Sequence, residues 1–272
     1  MFLLRFIVYT NLLISSITGV ITFGWTTFLD SDQSLFYSVV VFGATLFTYN
    51  LHRILRLKEI QHTYSHRHIW LIQHPVILYA LAGIGLALTG VFYILYFFSL
   101  YSFLILGLVG LISVSYAWRI KAGRKTLREL PYLKIYLIAL SWMLVCFVWP
   151  IISEQKHIID YWMVIVASYL YVFAATIPFD IRDYTFDARD QKTIPHIIGE
   201  KNAKLVAVAS LVTSYSLLTY FSSDVVTNLL FMMAYLGMFL LIVFTRQKNY
   251  ELYFSFLIDA WILFFGLGFL TL

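Results

Sequence analysis

The chain reads as an all-α, polytopic membrane protein, with nine transmembrane helices around a central cavity that opens inward. Three observations predict this. Of the 272 residues 61% are hydrophobic and only 12% charged, and the mean hydropathy is +0.83, well beyond a water-soluble domain of this length. The apolar residues fall into nine runs, at about 6 to 28, 35 to 51, 70 to 95, 99 to 118, 132 to 152, 161 to 179, 204 to 221, 226 to 245 and 252 to 270. Each is near the ~20 residues that cross a bilayer once tilt is allowed. The charges, finally, are sorted: with the N-terminus inside, 18 of the 19 Lys and Arg residues fall on one side and only Lys156 on the other. The positive-inside rule then puts the N-terminus in the cytoplasm and the C-terminus outside, in the cytoplasmic (inner) membrane.

The net charge of +5 and the pI near 9.1 are therefore a topology signal, and no nucleic-acid partner is expected. The opening segment has no small-residue cleavage site and runs straight into the first span, so insertion is expected through the chain's own helices. Cys146, the single cysteine, excludes an internal disulfide and a cysteine-based metal site. No internal repeat, low-complexity segment or long linker divides the chain, and residues 1–272 are read as one helical domain.

Along the chain, the first span carries Asn11 and a Ser15-Ser16-x-Thr18-Gly19 patch, read as close helix packing through small residues. The second ends in a cationic stretch from Asn50 through Arg53 and Arg56 to Lys58. His62, His66 and His68 follow in a polar segment; the repeated His boxes of a membrane desaturase are missing, and His62 with His66 allows at most a single zinc site. Spans three and four join through a short turn near Ser99. Beyond Tyr116 five cations fall in ten residues, from Arg119 and Lys121 to Arg128. Pro195 stops any helix entering from span six at or before Ile194. Asp259 sits inside the last span, where a carboxylate is by default a functional hypothesis.

The stretch that needs a chemical explanation follows the sixth span: Asp180, Asp183, Asp187 and Asp190 lie within eleven residues. On a continuous helix they fall within an arc of roughly 80°, with Arg182 and Arg189 on the opposite side. Adjacent carboxylates repel unless a cation intervenes. Magnesium takes oxygen ligands, keeps several waters and is usually completed by substrate phosphates. A diphosphate so held becomes a leaving group, and an isoprenoid chain bearing it would leave an allylic cation in an apolar, aromatic cavity.

Asp180-x-x-Asp183-x-x-x-Asp187, followed by Lys192-Thr193-Ile194-Pro195, resembles the second aspartate-rich motif of the UbiA-type intramembrane prenyltransferases. Nine spans, an inward N-terminus and Tyr116-x-x-Arg119-x-Lys121 after the fourth span agree with that family. The resemblance covers the whole chain in layout and about thirty residues at motif level. It implies that a polyprenyl diphosphate donates its prenyl group to a lipophilic acceptor, with membrane lipids as the surrounding partners. It also implies that Asp180, Asp183 and Asp187 hold Mg2+ with Asp190 in support, and that Tyr116, Arg119 and Lys121 meet the diphosphate.

The first aspartate-rich motif departs from the pattern. Asn50 matches, but Leu51, Ile54 and Lys58 stand where the family has aspartates. Either Arg53, Arg56 and Lys58 grip the diphosphate directly and Asn50 orients a phosphate, leaving a transferase with one magnesium, or the site is a non-catalytic isoprenoid-lipid-binding or partner subunit derived from that fold. The D-G-x-x-A-R core of the CDP-alcohol phosphotransferases is missing, and no pair of Gly/Pro-broken spans supports a transporter coupled through Asp259.

Overall fold

The computed structural model describes residues 2–56, 66–118, 126–130, 132–184, 192–222, 225–248 and 250–272, and among them every regular element is helical. A chain with so few charges has no water to hydrogen-bond its backbone inside a bilayer, and helices satisfy those groups internally. The helices are α1 (Phe2–Tyr9), α2 (Leu12–Phe28), α3 (Ser34–Leu55), α4 (His66–Gln73), α5 (Pro75–Phe97), α6 (Leu100–Ala117), α7 (Leu133–Ser153), α8 (Ile158–Asp183), α9 (Ile194–Phe221), α10 (Val225–Phe244) and α11 (Tyr253–Thr271). Among the described residues, eight helices are long and apolar enough to cross a membrane, and the bent pair α1 and α2 makes a ninth span.

Two elements differ from the sequence expectation. The first span is not straight: α1 and α2 meet at 70°, because Asn11 adopts a left-handed backbone with φ 63°. Asparagine tolerates this region better than other side-chain-bearing residues, so the break falls on it. The helix carrying the acid stretch ends at Asp183, with Tyr184 as its cap. The shared helical face expected for the four aspartates is seen for Asp180 and Asp183, and Asp187 and Asp190 lie outside the described residues. The seventh span, expected from residue 204, is preceded by a helical turn: α9 starts at Ile194 with Pro195 in its first turn, where its missing N–H has no intrahelical partner to lose, and is broken at Gly199, φ 78°, before the span proper.

The helix pairings close on themselves: α2 packs on α3 and α11, α11 on α10, α10 on α9, α9 on α8, α8 on α7, α7 on α6 and α6 on α3. α5 lies against α3 outside that ring, at an intimate crossing; a Cβ on Gly43 would stand 2.8 Å from the Gly85 carbonyl oxygen, and one on Gly85 2.6 Å from that of Gly43. At the end away from Asp180 an aromatic plug fills the interior. Trp25, wholly buried, meets Phe28, Phe147, Tyr161 and Phe269, and its indole N–H donates to the Phe147 carbonyl at 3.1 Å. Polar residues gather at the other end.

Candidate active site at the Asp180 end

The site begins with helix geometry. Asp180 and Asp183 are one turn apart on α8 and so share a face. Asp180 is 1% exposed and Asp183 15%. Burial of two carboxylates is costly unless cations are placed on them. Lys134 does this from the first turn of α7: its Nζ lies 2.9 Å from Asp180 Oδ1 and 3.2 Å from Asp183 Oδ2. The left-handed Tyr132, φ 69°, sets the start of α7 and brings Lys134 to that point. Arg182 completes the balance, with Nε 2.7 Å from Asp183 Oδ1. This corrects the expectation that Arg182 turns away from the acid face. Its guanidinium reaches round to the adjacent carboxylate while its plane lies over Phe179 and Phe254, 5.3 and 5.4 Å from the ring centres.

A second group of cations gathers beside the acid pair. Arg53, near the end of α3, has Arg67, Arg128, Arg182 and Arg56 as its charged neighbours, with Arg67 the strongest influence. No carboxylate partner of Arg53 is found among the described residues. Arg67, from α4, donates to the Asn11 side-chain oxygen at 3.1 Å, and its Nε is buried without a hydrogen bond. Burial and the Arg182 charge hold its pKa below the ordinary guanidinium value, while Glu251 and Asp259 act in the opposite sense.

The break at Asn11 serves this arrangement. Asn11 Nδ2 donates to Asn50 Oδ1 at 3.2 Å, and Asn50, wholly buried, donates in turn to the carbonyls of Thr10 at 3.1 Å and Leu46 at 2.8 Å. Asn50 is thus a brace between α3 and the α1–α2 break, with Asn11 passing the connection on to Arg67. Tyr116, at the end of α6, stacks on His52 with ring centres 5.4 Å apart and lies in the field of Arg128, Lys134 and Asp180. His52 itself is fixed by the Ser113 carbonyl at 2.7 Å.

Of the residues expected from the sequence, the structure therefore gathers Asn50, Arg53, Tyr116, Asp180 and Asp183 at one end of the ring. Lys58, Arg119, Lys121, Asp187, Asp190 and His62 lie outside the described residues. Lys134, Arg67 and Asn11 were not foreseen as parts of the site. Two of them were absorbed into the topology count as positive-inside charges, and Asn11 into helix packing; only their position at the same membrane face as the aspartates would have singled them out. Among the described residues no third His, Cys, Asp or Glu joins Asp180 and Asp183 as a metal group. The two carboxylates nevertheless suit magnesium, which needs only one or two carboxylates when phosphate oxygens and waters complete its shell.

This closed ring of apolar spans, charged at one end and sealed by aromatic rings at the other, has the fold of solved UbiA homologues. It resembles the apo structure of a UbiA homologue from Aeropyrum pernix K1 with a TM-score of 0.70 at 17% identity, over 95% of this chain and 98% of that one. A UbiA homologue from Archaeoglobus fulgidus, bound to GPP and Mg2+, superposes with a TM-score of 0.67 at 13% identity, over 98% of this chain and 100% of that one. A digeranylgeranylglyceryl phosphate synthase structure gives 0.61 at 17% identity over 99% of both chains. No protein-family model matches the sequence and no curated protein matches it, so the likeness is one of fold.

Proposed function

We propose that the protein is a prenyltransferase of the cytoplasmic membrane, moving an isoprenoid group from a polyprenyl diphosphate to a lipophilic acceptor. The observation that carries this reading is the juxtaposition of the Asp180–Asp183 pair with the arginines around Arg53, at one end of an apolar ring. Like charges held together in a buried place are stable only against an anion, and planar guanidinium groups match phosphate oxygens. A carboxylate pair beside them suits a metal-bound phosphate rather than a bare one. The GPP and Mg2+ held by the Archaeoglobus homologue of the same fold lend further support.

In this reading the diphosphate lies among Arg53, Arg56 and Arg67, with Lys58, Arg119 and Lys121 added from segments at the same end and Tyr116 against it. Asp180, Asp183 and Asp187 would hold magnesium, with Asp190 in support. When bound, magnesium neutralises phosphate charge and so improves the leaving group. The bond between the allylic carbon and oxygen breaks with its electron pair going to the diphosphate, where the arginines stabilise the growing charge. The allylic cation faces apolar and aromatic side chains that exclude water. The acceptor forms the new bond to that carbon and gives up its proton to Asp259, a carboxylate in the field of Arg67 and Arg182.

Purified protein incubated with a panel of prenyl diphosphates and lipophilic acceptors should release diphosphate in the presence of magnesium, and Asp183→Asn should abolish the release. If no donor and acceptor pair gives diphosphate and Asp183→Asn behaves as the wild type, the enzymatic reading fails; tight isoprenoid binding under those conditions would mark a lipid-binding subunit instead.

A further inference from the structure

We propose that Lys134 is a tethered counter-cation that competes with the divalent metal for Asp180 and Asp183, so that the acid pair accepts magnesium only together with a diphosphate. The proposal rests on the prenyl-transfer reading of the same site and adds to it a positioning residue. Its basis is a convergence: one ammonium, 8% exposed, lies within 3.2 Å of an oxygen from each of two carboxylates, one buried and one half-buried. Metal and ammonium compete there, since both are cations drawn to the same carboxylate oxygens and magnesium must approach them to about 2.0–2.1 Å.

Asp183 is engaged on both oxygens. Arg182 Nε holds Oδ1 at 2.7 Å, and Lys134 and a second Arg182 nitrogen both reach Oδ2 at 3.2 Å. Oδ2, which already accepts from two donors, can take a metal ion only if one of these cations yields. Arg182 lies against the adjoining rings of Phe179 and Phe254, whereas Lys134 is a flexible four-carbon arm on the first turn of α7. Lys134 is the one that moves.

Charge decides when it moves. With Lys134 and Arg182 in place the two aspartates are already balanced, and Arg53, Arg56, Arg67 and Arg128 stand nearby. A bare divalent cation approaching Asp180 and Asp183 has to displace one of these cations without bringing any anion to receive it. A magnesium diphosphate complex is negative overall: it meets attraction, and its phosphate oxygens offer the displaced ammonium new acceptors.

The test uses the full-length protein in detergent and Mn2+ alone as the probe, titrated by the electron paramagnetic resonance of the free ion. Lys134→Met removes the competitor and should bind Mn2+ about tenfold tighter than the wild type, while Lys134→Arg, which keeps the cation, should stay within about threefold. Adding geranyl S-thiolodiphosphate should shrink the difference between wild type and Lys134→Met to about threefold or less. Lys134→Gln provides a polar replacement if the Met variant does not fold. Equal or weaker Mn2+ binding by Lys134→Met or Lys134→Gln overturns the proposal, since an organising lysine would lower metal affinity when lost. The titration needs no donor turnover, so its failure is separate from a failure to release diphosphate.

Discussion

Arg53 is held against like charges, which gives its replacement opposite effects on stability and on binding. Its strongest charged neighbour is Arg67, and no described carboxylate relieves it. Arg53→Ala should therefore leave the thermal unfolding midpoint unchanged or raised, while weakening a prenyl thiolodiphosphate by about tenfold to a hundredfold, the equivalent of one charged hydrogen bond of about 1.5–3 kcal/mol. A midpoint that falls together with binding would identify Arg53 as a packing residue instead. Asp259→Asn separates differently: a proton acceptor should lower turnover by about 10²- to 10⁴-fold and leave the affinity for the same analogue intact, which steady-state rates and analogue titration read independently. At this scale the sequence exposes Asp180 and Asp183 because a spacing of three places them on one face wherever the helix runs. Lys134 stays hidden because a lysine at the edge of a span is explained by topology before any site is considered. Asn11 stays hidden because nothing in its neighbours announces a left-handed break.

The elements reach the site through their crossings, and that of α3 on α5 is the most restrictive. The mutual approach of Gly43 and Gly85 leaves no room for a side chain on either helix, with backbone atoms 2.6–2.8 Å from the positions a Cβ would take. α3 carries both Asn50 and Arg53, so a displacement here is passed to the charged end. Gly85→Val should destabilise the protein by about 1–3 kcal/mol, as overpacking does, and should weaken analogue binding although it lies far along the span from Arg53. An unchanged unfolding midpoint and unchanged binding would show that α5 can shift away without moving α3. The nine spans were legible because each long apolar run has to cross a bilayer as a helix. The ends and bends were less so. An arc of aspartates tells nothing of where its helix stops, Pro195 sets only an outer limit, and the structure ends α8 at Asp183. Similarly, one apolar run from 6 to 28 conceals two helices meeting at 70°.

For the whole molecule, polarity from end to end matters more than any single contact. The charged end gathers residues from α3, α4, α6, α7, α8 and α11, and the aromatic plug around Trp25 closes the ring at the other. A water-soluble diphosphate headgroup must enter at the charged end, and if that end faces the cytoplasm, the donor arrives from the compartment that holds its polar head. The sorting of cations in the sequence predicts that orientation, with Lys156 expected on one side and Lys248 on the other. Both side chains are exposed, whereas Cys146 is 1% exposed. Replacing Cys146 with alanine gives a thiol-free background in which Lys156→Cys and Lys248→Cys each report one face. In intact cells a membrane-impermeant maleimide should label the cysteine at 156 and spare that at 248, and inverted membrane vesicles should reverse the pattern. The opposite labelling would turn the acid pair and its arginines outward, away from a cytoplasmic diphosphate, and the proposed reaction would lose its route of supply even with the ring and its charged end intact.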